Sequence, residues 1–155
     1  MVIKMKEEVL QFVSLMENER EEITILSNAS AFLSMILADV SWTGFYLFQN
    51  DELILGPFQG KIACTHIPVG KGVCGTCAQK KETLIVPNVH EFEGHIACDS
   101  ASNSEIVVPI LIDDTLYGVL DIDSTRFDRF QKNDQLLLEE CMKQLAQHLK
   151  SCRNV

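Results

Sequence analysis

From residue 5 to 37, hydrophobic residues recur at three- and four-residue steps: Leu10, Val13, Leu15 and Met16, then Ile23, Leu26, Ala29 and Leu33. That is the period of a helix with one buried face, and the charged stretch Glu17 to Glu22 divides it in two. At Ser41 the period changes to two. Trp42, Gly44, Tyr46 and Phe48 fall on one face of a strand, with Thr43, Phe45 and Leu47 on the other. Gln49 to Glu52 reads as a turn, and Leu53 to Phe58 as the partner strand of a hairpin. Ile62 to Val69 predicts a third strand. Gly70-Lys71-Gly72 then breaks the chain before a short helix over Val73 to Lys80, and Leu84 to Val86 is a short apolar strand closed by Pro87-Asn88. Residues 88–104 form a polar connection of a length that is usually functional or mobile in a compact domain. Glu105 to Ile112 and Thr115 to Asp123 predict a second hairpin around Asp113-Asp114. Gln131 to Lys150 closes the chain as an amphipathic helix with Leu136, Leu137, Leu138, Met142, Leu145 and Leu149 in its apolar stripe. Strands segregated from helices, with hairpins at both ends of the sheet, predict an α+β fold: an antiparallel sheet with helices packed on a face.

Composition narrows the function classes. A chain of 155 residues suits a single domain, expected to span residues 1–155. The net charge of −9 disfavours nucleic acid and anionic membranes as partners, since both need a basic face. No apolar run approaches the roughly 18 residues of a membrane span, and Met1 to Leu10 is charged, unlike a secretory signal. A cytoplasmic setting is therefore expected, in which six cysteines are thiols rather than a disulfide framework.

Three of those cysteines sit in a polar, glycine-marked middle segment: Cys64 in Lys61-Ile62-Ala63-Cys64, Cys74 in Gly72-Val73-Cys74-Gly75, and Cys98 in His95-Ile96-Ala97-Cys98-Asp99. Their loop context points to nucleophilic or redox chemistry, and the start of a helix at Cys74 favours an anion there. Cys74 and Cys77 also have the CxxC spacing of a redox dithiol or half a zinc site, although no second pair follows. Cys141 and Cys152 read as packing and surface residues. On the strand Thr115 to Asp123, alternation puts Tyr117, Val119, Asp121 and Asp123 on one face, and Glu105 opens the neighbouring strand. Such an acid set can hold an ammonium group, or raise one member's pKa so that it carries a proton to donate; a solvated strand end is the plainer alternative. Trp42 and Tyr46 share a face as core, or as a wall for an apolar or cationic ligand group. Of the histidines only His95, near Cys98, has a place in such a site.

At these residues the chain resembles the free methionine-(R)-sulfoxide reductases, enzymes built on a GAF domain. The matching stretches are Trp42 to Tyr46, Gly56 to Cys64, Gly70 to Gly75, Gly94 to Asp99, Ser104 to Pro109 and Gly118 to Ser124. The resemblance implies a GAF-like central antiparallel sheet, with N- and C-terminal helices (about 5–37 and 131–150) on one face and a pocket on the other, within about 41–124. It implies Cys98 as the nucleophile on the sulfoxide sulfur, Cys64 as the resolving thiol that forms a disulfide with it, and Cys74 as a third family cysteine of less settled role. It implies Glu105, Asp121 and Asp123 as acids that bind substrate and assist protonation of the sulfoxide oxygen, and Trp42 and Tyr46 as the aromatic wall. The substrate would be free L-methionine-(R)-sulfoxide, the reductant thioredoxin, with no metal or organic cofactor, and members often form homodimers. The chemistry agrees: attack on a sulfoxide needs a proton for the departing oxygen and a second thiol to resolve the oxidised sulfur. The competing class is a GAF small-molecule or redox sensor without enzymatic activity.

Overall fold

The computed structural model of the protein describes residues 2–96 and 100–153. Two helices, α1 (Val2–Met16) and α2 (Glu22–Ile36), lead into the strands β1 (Trp42–Gln49), β2 (Glu52–Gln59) and β3 (His66–Pro68). Helix α3 (Gly72–Lys80) and strand β4 (Leu84–Val86) follow, then a 3-10 turn over Val89–Glu91. Strands β5 (Ser104–Ile112) and β6 (Thr115–Ser124) and the long helix α4 (Lys132–Arg153) complete the chain. The six strands form one sheet in the order β3-β2-β1-β6-β5-β4, antiparallel at every pairing. Both tight hairpins turn on two residues with positive φ, Asn50-Asp51 and Asp113-Asp114. Their twist suits two-residue connections, and short polar side chains tolerate that conformation.

Each face of the sheet owns a core. On one face α1, α2 and α4 pack Phe12, Leu26, Leu33, Leu138, Met142 and Leu145 onto Phe45, Ile106, Val108, Leu120 and Ile122. On the other, α3 and the flanking loops pack Val73, Cys77, Ala78 and Val89 onto Trp42, Tyr46, Val107 and Val119. The period-two reading of β1 and β6 thus assigns Trp42, Tyr46, Val119 and Asp121 to the face opposite Phe45, Leu120 and Ile122.

The structure corrects three details. The strand expected over Ile62 to Val69 pairs only over His66–Pro68. Upstream of it two carbonyls serve side chains instead of a ladder: Trp42 Nε1 donates to the Lys61 carbonyl at 3.0 Å and the Tyr46 hydroxyl to that of Cys64 at 2.9 Å. Tyr117 does not share the face of Val119. The register shifts between Ile110 and Leu111, opposite Gly118 and Leu116, and Tyr117 packs against the helix-side core with its hydroxyl 3.3 Å from Glu22 Oε2. In the helices the buried phase runs through Phe12, Met16, Ile25 and Leu26, while Leu10, Ile23 and Leu136 are exposed.

Candidate active site

Sheet register brings the acids and aromatics together. Trp42 lies opposite Asp123 and Gly44 opposite Asp121 across β1 and β6, and Glu105 lies opposite Asp123 across β5 and β6. All therefore project from the same face of three adjacent strands. α3 crosses this face, and its first turn sets the Cys74 thiol 3.9 Å from Glu105 Oε2. The strand ends are tied down by Ser104 Oγ, which donates to the Arg126 carbonyl at 2.6 Å, and by the Asn103 amide, which donates to the Ser124 carbonyl at 2.8 Å. The cavity so formed is lined by Trp42, Tyr46, Cys74, Ser102, Glu105, Asp121 and Asp123, together with Ile62, Lys71, His95 and Ile96, and measures about 50 Å³. That is room for about one or two waters.

The aromatic wall is a stack of three rings. The Trp42 indole lies between Tyr46, at 5.8 Å between centroids, and Phe58, at 5.1 Å. Its position depends on missing side chains: a Cβ at Gly44 would come within 2.7 Å of the indole, and one at Gly60, where φ is +142°, within 2.5 Å. Both phenol and indole donate to backbone, so their polar groups are satisfied while their faces stay apolar. Burial, then the charges of Asp121, Cys74, Asp123 and Glu105, push the Tyr46 hydroxyl far above its ordinary pKa.

Glu105 and Asp121 are each 6% exposed. Burial, then the charges of Asp121 and Asp123, hold Glu105 well above the usual carboxylate range, and its hydrogen bonds to those two acids reinforce the shift. Burial also raises Asp121, and hydrogen bonds from Glu105 and Cys74 counter that only in part. Two carboxyls this close resist being charged together away from water, which favours a proton on the pair, and the stronger rise is at Glu105.

The helix start does not make Cys74 a thiolate, as the sequence alone suggests it would. Burial, then the charges of Asp121, Glu105 and Asp123, push the thiol well above its ordinary pKa. Cys77 is likewise a buried thiol, held 3.7 Å from the Val107 carbonyl. Cys141 is buried among the helices with its pKa pushed up to about 12. Cys64 is disulfide-bonded, whereas Cys74, Cys77, Cys141 and Cys152 are free thiols. Cys98 lies outside the described residues. Cys74, Glu105 and Asp121 offer ligand atoms all within 4.8 Å of one another, a geometry compatible with a cation. A metal there would have to displace the protons that burial favours on Cys74 and Glu105. Cys77 joins no such group among the described residues.

The structure therefore brings Trp42, Tyr46, Cys74, Glu105, Asp121 and Asp123 into one cavity. Lys71 and Ser102 also line it, and Phe58 backs the Trp42 ring, without being evident in the sequence. Phe58 was reachable through the hairpin register, which pairs it with Gly44. Lys71 and Ser102 belong to loops whose paths no hydrophobic period fixes.

A GAF domain family model matches residues 18–149. The free methionine-R-sulfoxide reductase of Escherichia coli strain K12 is 51% identical over 138 residues, covering 89% of this chain and 84% of that protein. The structure of fRMsr of Staphylococcus aureus in complex with substrate is 52% identical with a TM-score of 0.89, covering 94% of this chain and 95% of that one. The free methionine-R-sulfoxide reductase of Neisseria meningitidis in complex with its substrate is 41% identical with a TM-score of 0.93, covering 97% of this chain and 90% of that one.

Proposed function

The chain belongs to the free methionine-R-sulfoxide reductases, a branch of the GAF-domain proteins, and from that premise we propose that it reduces free L-methionine-(R)-sulfoxide to L-methionine. The observation that carries this reading is the buried pair Glu105 and Asp121 at the foot of the Trp42–Tyr46 wall, with Glu105 held well above the usual carboxylate range by burial and by the neighbouring acids. A sulfoxide is reduced only if its oxygen leaves protonated, and Glu105 holds that proton in a water-poor cavity. The wall receives the S-methyl group, and Asp121 and Asp123 receive the α-ammonium.

The proposed sequence balances as follows. The Cys98 thiolate adds to the sulfoxide sulfur while Glu105 protonates the oxygen. The hydroxyl then passes from the sulfoxide sulfur to Cys98 Sγ as the transient sulfur–sulfur bond breaks, which releases methionine as the thioether and leaves Cys98 as a sulfenic acid. The Cys64 thiol displaces hydroxide from that sulfur, which departs as water, and an intramolecular disulfide forms. Overall the two thiols give up two electrons and two protons, and the sulfoxide oxygen becomes water. A dithiol, thioredoxin in the reading put forward here, reduces the disulfide by exchange. The disulfide at Cys64 is what the resolved state requires. Cys74, a hydrogen-bonded neutral thiol, takes the part of a neighbour that orients Glu105.

With about 50 Å³ available, an amino-acid substrate enters only if the lining residues Ile62, His95 and Ile96 move outward. The exposed apolar residues Ile3 and Leu10 on α1, and Ile23 and Met35 on α2, are the surface on which a homodimer would form. We place the enzyme in the cytoplasm, where thioredoxin is available; no helix among the described residues is long and apolar enough to cross a membrane. The test is steady-state turnover with thioredoxin, comparing free L-methionine-(R)-sulfoxide, its S epimer and an R-sulfoxide within a peptide. Turnover of the first alone is expected. Equal turnover of the S epimer, or ligand binding with no turnover, would overturn the proposal, and the latter would favour a sensor.

A further inference from the structure

At about 50 Å³ the cavity is too small for an amino acid as it stands, but it has the size of a metal ion with a water. Its lining offers the donors for one. The Cys74 thiol and one carboxylate oxygen each from Glu105 and Asp121 lie within 4.8 Å of one another, on three buried residues. Tetrahedral zinc, with Zn–S of about 2.3 Å and Zn–O of about 2.0 Å, sets sulfur and oxygen roughly 3.5 Å apart. Cys74 Sγ and Glu105 Oε2 already stand 3.9 Å apart, so a small shift closes them around an ion. A second observation is independent of these three donors. Ser102, 6% exposed, lines the same cavity, and its Oγ is buried without any hydrogen-bond partner. Asp121 Oδ1 is likewise unpartnered. Buried polar atoms left unpaired in a cavity wall are costly unless a ligand or its water completes them.

We propose that Cys74, Glu105 and Asp121 form an inhibitory zinc site, with a water held by the Ser102 hydroxyl in the fourth position. Three protein ligands and one water are a common zinc arrangement. A thiolate among the donors selects zinc over magnesium or calcium, which take oxygen ligands. Coordination displaces the protons that burial favours on the thiol and the carboxyl, which lowers the affinity. Zinc is therefore a reversible occupant here and not a resident cofactor. The inhibitory role rests on the reductase reading: the ion takes the Glu105 oxygen that would protonate the sulfoxide, and it fills the place of the substrate's ammonium beside Asp121. The binding of zinc itself does not depend on that reading.

The experiment uses the full chain with its Cys64 disulfide intact, so that the proposed catalytic thiols take no metal, while Cys74 is free. Zinc is titrated in metal-buffered solution, and cobalt(II) serves as the spectroscopic probe. One zinc per chain is expected, and cobalt should show a thiolate-to-metal charge-transfer band. Cys74→Ser is expected to abolish the band and to weaken zinc binding at least about hundredfold, more than the loss of a residue that only supports a ligand. Glu105→Gln, close in shape, should weaken binding to a similar degree and keep the band, which gives a second reading if Cys74→Ser does not fold. Ser102→Ala should weaken binding about tenfold. Cys152→Ser, at the half-buried thiol of α4, should change neither readout. No bound zinc, or a band that survives Cys74→Ser, overturns the site. Sulfoxide turnover is then compared in metal-free and zinc-buffered solution. Zinc is expected to inhibit, about tenfold less potently in Ser102→Ala. Undiminished turnover with zinc bound, or equal inhibition of Ser102→Ala, overturns the inhibitory role. Absence of turnover without any metal sinks the reductase reading instead and leaves the zinc site standing.

Discussion

The two faces of the sheet are built from neighbouring residues on the same strands and obey opposite rules. On β6, Leu120 and Ile122 enter a core of buried hydrocarbon beneath α2 and α4. The residue between them, Asp121, is also buried, yet it is a carboxyl hydrogen-bonded to Glu105, and its Oδ1 has no partner. One face gains stability from every side chain it covers. The other spends some of that gain on desolvated acids, a buried thiol and an unpaired hydroxyl, groups that cost stability unless a ligand completes them. A sheet that is apolar on one side can hold reactive groups in fixed geometry on the other, since the helix-side core fixes the register that aligns Glu105, Asp121 and Asp123.

The comparison breaks most decisively at the proposed nucleophile. Cys98→Ser is expected to abolish sulfoxide reduction to background in a discontinuous assay of methionine, with the thermal midpoint little changed; retained turnover would remove Cys98 from the mechanism. Next comes Glu105→Gln, which keeps the shape and removes the proton donor. Loss of general acid catalysis lowers kcat by about 10²–10⁴-fold. Stability should move the other way. Glu105 has a folded pKa above its ordinary value near 4.5, so the native protein retains a proton that the unfolded chain releases. The stability it contributes is present at acid pH and is lost as pH rises through the folded pKa. Glu105→Gln is therefore expected to flatten the decline of thermal midpoint toward alkaline pH, and an unchanged profile would refute the protonated state. The wild-type enzyme should lose kcat over the same rise in pH.

On the other face, Leu120→Ala is expected to cost about 2–5 kcal/mol in denaturant unfolding while leaving KM of the folded fraction unaltered; a KM change larger than the stability loss would mean that the two faces are not independent. The smallest effect is expected from Cys77→Ala, about 1 kcal/mol of stability with near-normal turnover, since its thiol donates to the Val107 carbonyl and does not line the cavity. A large loss of turnover would put the CxxC pair into the chemistry.

The same contrast explains what could be read from the chain. Alternation in β1 and β6 separates Trp42 and Asp121 from Phe45 and Leu120 because each face has its own core, so a period of two survives on both. It fails at Tyr117, where a register shift that no local pattern announces turns the ring toward Glu22. It overextends β3, because Lys61 to Thr65 is apolar enough for a strand, yet two of its carbonyls are recruited by Trp42 and Tyr46. The acid set was legible from spacing, whereas its ionisation was not, since the proton on Glu105 and the neutral thiol of Cys74 follow from burial that only the packing of α3 creates. Ser102 and Lys71 sit on loops and become visible only through the cavity they share.

The central claim is that two thiols, proposed as Cys98 and Cys64, exchange their electrons for one sulfoxide oxygen. A single-turnover experiment tests it most directly: fully reduced protein, no external reductant and an excess of free L-methionine-(R)-sulfoxide, with methionine and remaining thiols counted together. The expected result is one methionine formed and two thiols lost per chain, with Cys64 and Cys98 found joined by peptide mapping. Methionine formed without thiol loss, or thiol loss without methionine, would contradict the account.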